Sequence, residues 1–138
     1  MHARDAADHP RSLDARREFG RRGEDDALCY LQGIGFRLVA RNHRTSFGEV
    51  DLIVVDDRVL VFAEVKARHV RAGYEGVYES ELGWPSAKQR MRLRAAARAW
   101  LLEASADRPR RPELRFDAVR VLFDQKDMLV DIVHREGI

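Results

Sequence analysis

Asp51, Glu64 and Lys66 interrupt two runs of β-branched and aromatic residues in the stretch GEVDLIVVDDRVLVFAEVKAR, residues 48–68. Charged groups are costly in a strand packed on a core, so three of them call for a chemical reason. Side chains alternate along a strand. Glu64 therefore shares a face with Leu60, Phe62 and Lys66, and Asp51 with Glu49, Ile53 and Val55. A turn of two residues (Asp57 and Arg58) or of four sets Asp51 opposite Glu64 and Glu49 opposite Lys66. A three-residue turn sends the two sets to opposite faces. In the first register the carboxylates have Cβ atoms about 5 Å apart.

Like charges facing each other destabilise a sheet, and a divalent cation between them reverses that sign. Mg²⁺ is held by one or two carboxylates, keeps several waters and takes phosphate oxygens as further ligands; Mn²⁺ accepts the same hard oxygen donors. Lys66 would point into such a site, where its charge can bind a scissile phosphate or orient an attacking water. That is the chemistry of metal-assisted phosphodiester hydrolysis. The spacing leaves a second arrangement open: an edge strand with a solvated face, guarded by a lysine.

Other candidate groups are less telling. His2, His9, His43, His69 and His134 show no zinc-ligand spacing. Asp56 and Asp57 read as turn residues. Cys29 falls on the outer side of a helix. Gly20, Gly23, Gly33 and Gly35 follow no strand and so form no phosphate-binding fingerprint. Arg90, Arg94 and Arg98 make a stripe at i, i+4, i+8, with Lys88 and Arg92 on another side of the same helix. These five are the candidate nucleic-acid contacts, against the plainer reading of a solvated face.

The elements that must carry these residues are legible from periodicity. Residues 1–13 are polar and aperiodic, a flexible tail before a domain of residues 14–138. A helix is expected from about Leu13 to Gly33, with Phe19, Gly23, Ala27, Tyr30, Leu31 and Ile34 on its apolar face and Glu24 at the border. Strands are expected at 36–42, 49–55 and 59–66, with a turn-rich loop at 42–48 and a long loop at 67–85. A second helix opens near Ser86, where SAKQ matches a capping box. Leu93, Ala96, Ala97, Trp100 and Ala104 form its buried stripe. DRPRRPE ends it, and strands at 114–123 and 128–134 follow.

A chain of 138 residues makes one domain. Its single cysteine excludes an internal disulfide. It has no apolar run of membrane-span length and no signal-peptide stretch at the N-terminus, so a cytoplasmic protein is expected. Net charge is only +2, yet the basic residues are 22 Arg against 3 Lys, which singles out Lys66. Residues 86–120 hold ten basic and four acidic side chains, and that surplus suits a polyanion.

GRRGEDDALCYLQGIGFRLVARNHR, then GEVDLIVVDDRVLVFAEVKAR, then a lysine opening a helix, then RFDAVRV, resemble the YraN-like family of small bacterial proteins. That family is placed in the PD-(D/E)XK nuclease superfamily and likened to archaeal Holliday-junction resolvases. The resemblance covers about residues 19–134. It implies a restriction-endonuclease-like αβββαβ core of α/β class, with a mixed central sheet flanked by helices. It implies Asp51 and Glu64 as metal-binding carboxylates, Lys66 as catalytic lysine and Glu24 as an additional acidic group near the metal. Val50 stands where the superfamily's literal proline would be. The expectation is a Mg²⁺- or Mn²⁺-dependent endonuclease acting on DNA, in preference to RNA, with branched DNA among its candidate substrates. Cutting a junction would need two sites and hence a homodimer. The alternatives are a nucleic-acid-binding module without catalysis and an adaptor for protein partners.

Overall fold

The computed structural model describes residues 12–71, 82–104 and 112–138. The N-terminal tail up to residue 11, most of the long loop (72–81) and most of the DRPRRPE break (105–111) lie outside them.

Helix α1 spans Leu13–Gly33, as the periodicity predicts. The Ser12 hydroxyl accepts the Ala15 amide hydrogen at 3.1 Å, a side-chain N-cap. Gly35, at φ +109°, turns the chain after the last helical residues. Gly23, Ala27 and Leu31 are buried, with Phe19, Leu28 and Tyr30 packed around them. Ile34 departs from the expected face: it sits past the last turn and is 51% exposed.

Five strands follow in the chain: β1 (Arg37–Thr45), β2 (Gly48–Val55), β3 (Val59–His69), β4 (Glu113–Phe123) and β5 (Leu129–Arg135), with α2 (Ala87–Ala104) between β3 and β4. They form one sheet in the order β1-β2-β3-β4-β5. β3 and β4 are parallel and the other neighbours antiparallel. A parallel pair needs a crossover, and α2 lies within it. α1 covers one face through Leu52, Val54, Val61, Ala63, Val119 and Val121. α2 covers the other, with Leu93, Ala96, Ala97 and Trp100 against Val50, Ile53, Leu60 and Phe62. The chain is thus an α/β protein with a mixed sheet between two helices, matching the expected αβββαβ core.

Two elements outrun their predicted ends. The segment expected as a loop at 42–48 is mostly strand: β1 continues to Thr45. The turn is made tight by Thr45, whose hydroxyl donates to the Gly48 carbonyl at 2.8 Å and accepts the Phe47 amide hydrogen at 3.1 Å. β3 runs to His69 because β4 pairs with it over its whole length, from Val59↔Glu113 to His69↔Phe123. The capping box is present in both directions: Ser86 N–H donates to Gln89 Oε1 at 2.8 Å, and Gln89 N–H to Ser86 Oγ at 3.2 Å.

Candidate active site

The β2–β3 hairpin pairs Leu52↔Ala63, Ile53↔Phe62, Val54↔Val61 and Val55↔Leu60. Continued one step, that register would bring Asp51 to Glu64, but the paired ladder ends at Leu52↔Ala63. The register is that of the two- or four-residue turn. The turn is closed by Asp56 N–H to the Val59 carbonyl at 3.1 Å, and Asp56 Oδ1 accepts the amide hydrogens of Arg58 and Val59, both at 2.8 Å. These bonds hold the Asp56 carboxyl below its ordinary pKa and confirm it as a turn residue.

Both strands continue past Leu52 and Ala63, but here a side chain takes over from the ladder. Asp51 Oδ2 accepts the Val65 amide hydrogen at 2.8 Å. The alternation of β2 also breaks at this point. Val50 packs with Ile53 in the α2 layer, whereas Leu52 packs in the α1 layer. On the neighbouring strand the pairs run Arg41↔Leu52 and His43↔Val50, and Asn42 between them has a left-handed φ of 51°. The β2–β3 ladder therefore ends where Asp51 stands, while β1 stays in register on the other side of β2.

Burial drives the Asp51 carboxyl up to about 7, and Glu24, Glu64 and Glu49 push the same way against the Val65 hydrogen bond. Four carboxylates thus share one electrostatic neighbourhood. Glu24 arrives from α1, which lies close on β3 because Gly23 meets Ala67: a Cβ on Gly23 would be 2.8 Å from Ala67 Cβ. Burial raises the Glu24 carboxyl as well, opposed by Asn42 and Arg41. Arg41 Nε is 3.7 Å from Glu24 Oε1, while its Nη2 pairs with Asp25 at 2.6 Å. Glu24 Oε1 is buried with no hydrogen-bond partner among the described residues.

Glu64 lies between two cations. Lys66 Nζ is 3.8 Å from Oε1, and Arg120 Nη2 is 3.2 Å from Oε2. Lys66 is about one-third exposed and Arg120 is fully buried. Arg120 is absent from the candidates that the sequence suggested. The signal was available, since it is a charge inside the apolar run of RFDAVRVLF, the same anomaly that marks Asp51, Glu64 and Lys66.

Among the described residues no three His, Cys, Asp or Glu side chains gather closely enough to cage a metal ion. Mg²⁺ does not require a protein cage: one or two carboxylates, waters and substrate phosphates complete its shell. Asp51 and Glu64 fit that requirement. They are hard oxygen donors close enough to perturb each other, in a crowd of carboxyl groups that a cation would relieve.

The arginine stripe on α2 is partly engaged by the protein itself. Arg90 donates to the Pro85 carbonyl at 2.8 Å. Arg94 donates to the Ile138 carbonyl at 2.9 Å and lies 5.3 Å over the Phe116 ring. Lys88, Arg92 and Arg98 are exposed, as is Cys29. Among the described residues no helix is long and apolar enough to cross a membrane.

The class defined here is an α/β protein with neighbouring carboxylates and a lysine at the point where an antiparallel ladder ends. The chain belongs to the uncharacterised protein family UPF0102, whose family model matches residues 23–121. It is similar to the UPF0102 protein of Pelotomaculum thermopropionicum, 39% identical over 124 residues that cover 90% of this chain and 97% of that one. The UPF0102 protein of Mycolicibacterium gilvum is 40% identical, covering 91% of this chain and 96% of its own. That of Anaeromyxobacter dehalogenans is 41% identical, covering 86% and 82% respectively.

Proposed function

We propose that this chain is a Mg²⁺- or Mn²⁺-dependent endonuclease of the PD-(D/E)XK type that hydrolyses phosphodiester bonds in cytoplasmic DNA, with branched DNA among its substrates. The reading is supported by one juxtaposition: Asp51, where the β2–β3 ladder ends, accepts the amide hydrogen of Val65, the residue between Glu64 and Lys66, and Lys66 Nζ is 3.8 Å from Glu64 Oε1. Asp51 and Glu64 would hold the cation. When bound, the cation supplies Lewis-acid polarisation of a phosphate oxygen and a water of lowered pKa. Lys66 places a mobile ammonium beside the carboxylates, where it binds a phosphate oxygen or orients the attacking water. Glu24 adds negative charge from α1, and the exposed cations of α2 contact the phosphate backbone.

The test is a cleavage assay of purified protein on linear, flapped and four-way DNA and on RNA, with Mg²⁺, Mn²⁺ or EDTA. Metal-dependent cutting that is lost in Glu64→Gln supports the reading. Binding without cutting in any metal replaces it with a nucleic-acid-binding module. Neither binding nor cutting removes nucleic acid as the partner.

A further inference from the structure

Asp51 and Glu64 share a pattern: each has one carboxylate oxygen held by the protein. Asp51 Oδ2 takes the Val65 amide at 2.8 Å, and Glu64 Oε2 takes Arg120 Nη2 at 3.2 Å. We propose that Arg120 is a positioning residue for Glu64, fixing the carboxylate by Oε2 so that Oε1 is the oxygen presented to a divalent cation. This rests on the metal-site reading above.

Arg120 is built for a fixed geometry. It is fully buried. Its Nε donates to the Leu82 carbonyl at 3.0 Å, its Nη1 to the Val119 carbonyl at 3.3 Å and its Nη2 to the Gly83 carbonyl at 2.7 Å. Its guanidinium also lies 5.1 Å over the Trp84 ring. A planar fork held this way cannot follow Glu64; Glu64 must conform to it. Lys66, at Oε1, is the opposite case. It is partly exposed on a flexible stem and can leave when a cation arrives. The ion pair by itself is no net gain in stability, because replacing both partners of a buried pair by hydrophobic groups is often neutral or stabilising. What a hydrophobe cannot do is orient a carboxylate. Arg120 also ties Leu82 and Gly83, the approach to α2, to the same carboxylate.

The experiment compares wild type, Arg120→Met, Arg120→Lys and Glu64→Gln for Mn²⁺ affinity, read from the electron paramagnetic resonance signal of free Mn²⁺, alongside thermal melts in EDTA. Arg120→Met should melt below wild type, since it strips buried acceptors of their donor, yet stay folded and bind Mn²⁺ about 10–100-fold more weakly, the usual effect of losing a group that orients a ligand. Arg120→Lys should also bind weakly, since an ammonium cannot reach Glu64 and all three carbonyls at once. Unchanged affinity in a folded Arg120→Met, with loss in Glu64→Gln, overturns the positioning role and leaves the metal site standing. Tighter binding in Arg120→Met overturns it too, because the guanidinium would then be competing with the cation. If both Arg120 variants fail to fold, Arg120 is a folding tie and the inference falls. A wild type that binds no Mn²⁺ overturns the metal-site reading itself.

Discussion

Asp51 accepts the backbone amide hydrogen of Val65 at 2.8 Å, across the gap where β2 and β3 separate. That bond favours the ionised carboxylate, but burial and three neighbouring glutamates outweigh it and raise the Asp51 pKa to about 7. The folded state therefore holds a proton that the unfolded chain, with an ordinary aspartate, has already released. Stability should fall as pH rises from about 4 to 7 and level off above. For metal-free wild type that loss is on the order of 4 kcal/mol. Asp51→Asn keeps an acceptor for Val65 and has no proton to lose. Urea titrations in EDTA at pH 5 and pH 8.5 should show the mutant gaining on wild type at the higher pH. A constant difference between them would mean that Asp51 is not a crowded carboxylate.

Lys66→Ala separates chemistry from binding. A partly exposed ion pair contributes little to stability, about 0–1 kcal/mol, and Glu64 keeps Arg120 as a partner. The variant should melt near wild type and still bind Mn²⁺ and DNA. Cleavage should fall by at least about 100-fold, because the ammonium acts where charge develops in the transition state. A Lys66→Ala protein that cuts at the wild-type rate would leave the lysine as an ordinary surface cation.

What the sequence disclosed was local. The capping box of Ser86 and Gln89, the buried stripe of α2 and the face of α1 follow from spacing within one element. The sequence leaves the hairpin register open between turn lengths, and the structure decides it with Val55 paired to Leu60. What it withheld depends on distant partners. β3 reaches His69 because β4, some fifty residues later, pairs with it. The break in alternation at Asp51 accompanies an Asn42 conformation on the neighbouring strand. Arg120 acquires its meaning from Glu64, and Arg94 is drawn to the Ile138 carbonyl. Periodicity reports which side of an element is apolar, not which polar group will meet another across the fold.

Gly23→Ala tests how Glu24 reaches the site. In a free helix the change should stabilise by up to about 1 kcal/mol. Here the new methyl would meet Ala67 Cβ at 2.8 Å, and both belong to packed backbone elements. The variant should instead lose about 1–3 kcal/mol, the usual cost of overpacking. Ala67→Gly in the same chain should restore most of it. If Gly23→Ala alone is more stable than wild type, α1 is not clamped on β3 at this point.

The arginines of α2 should divide by their partners. Reversing exposed Lys88, Arg92 and Arg98 to Glu should weaken DNA binding and flatten its salt dependence, by about 0.9 in slope for each phosphate that is no longer neutralised. Arg94→Ala should act mainly on stability, since it removes the bond to the Ile138 carbonyl and the packing over Phe116. Anisotropy titrations at several salt concentrations, paired with melts, read both effects. Equal salt slopes for wild type and the triple reversal would place the phosphate-binding cations away from this helix.

Asp117 should show the opposite pH behaviour to Asp51. It is fully buried in β4, and burial alone would raise its pKa. Hydrogen bonds from His134, Arg115 and the Gly137 amide outweigh burial and hold the carboxyl below its ordinary value. Arg115 is bidentate, Nε to Oδ1 at 2.8 Å and Nη2 to Oδ2 at 2.9 Å. His134 Nε2 is 2.7 Å from Oδ2, and its Nδ1 is 3.0 Å from the Tyr30 hydroxyl, so the network joins α1, β4 and β5. A depressed carboxylate contributes stability that is present above the unfolded pKa near 4 and is lost as pH falls through the lower folded value. Asp117→Asn turns one acceptor oxygen into a donor facing donors, and should cost about 3 kcal/mol at neutral pH. Its stability should then decline less steeply than wild type below pH 4, because this linkage is gone. Denaturant midpoints from pH 2.5 to 7 distinguish the two proteins. If they fall in parallel below pH 4, the acid sensitivity arises elsewhere and the Asp117 network contributes only packing.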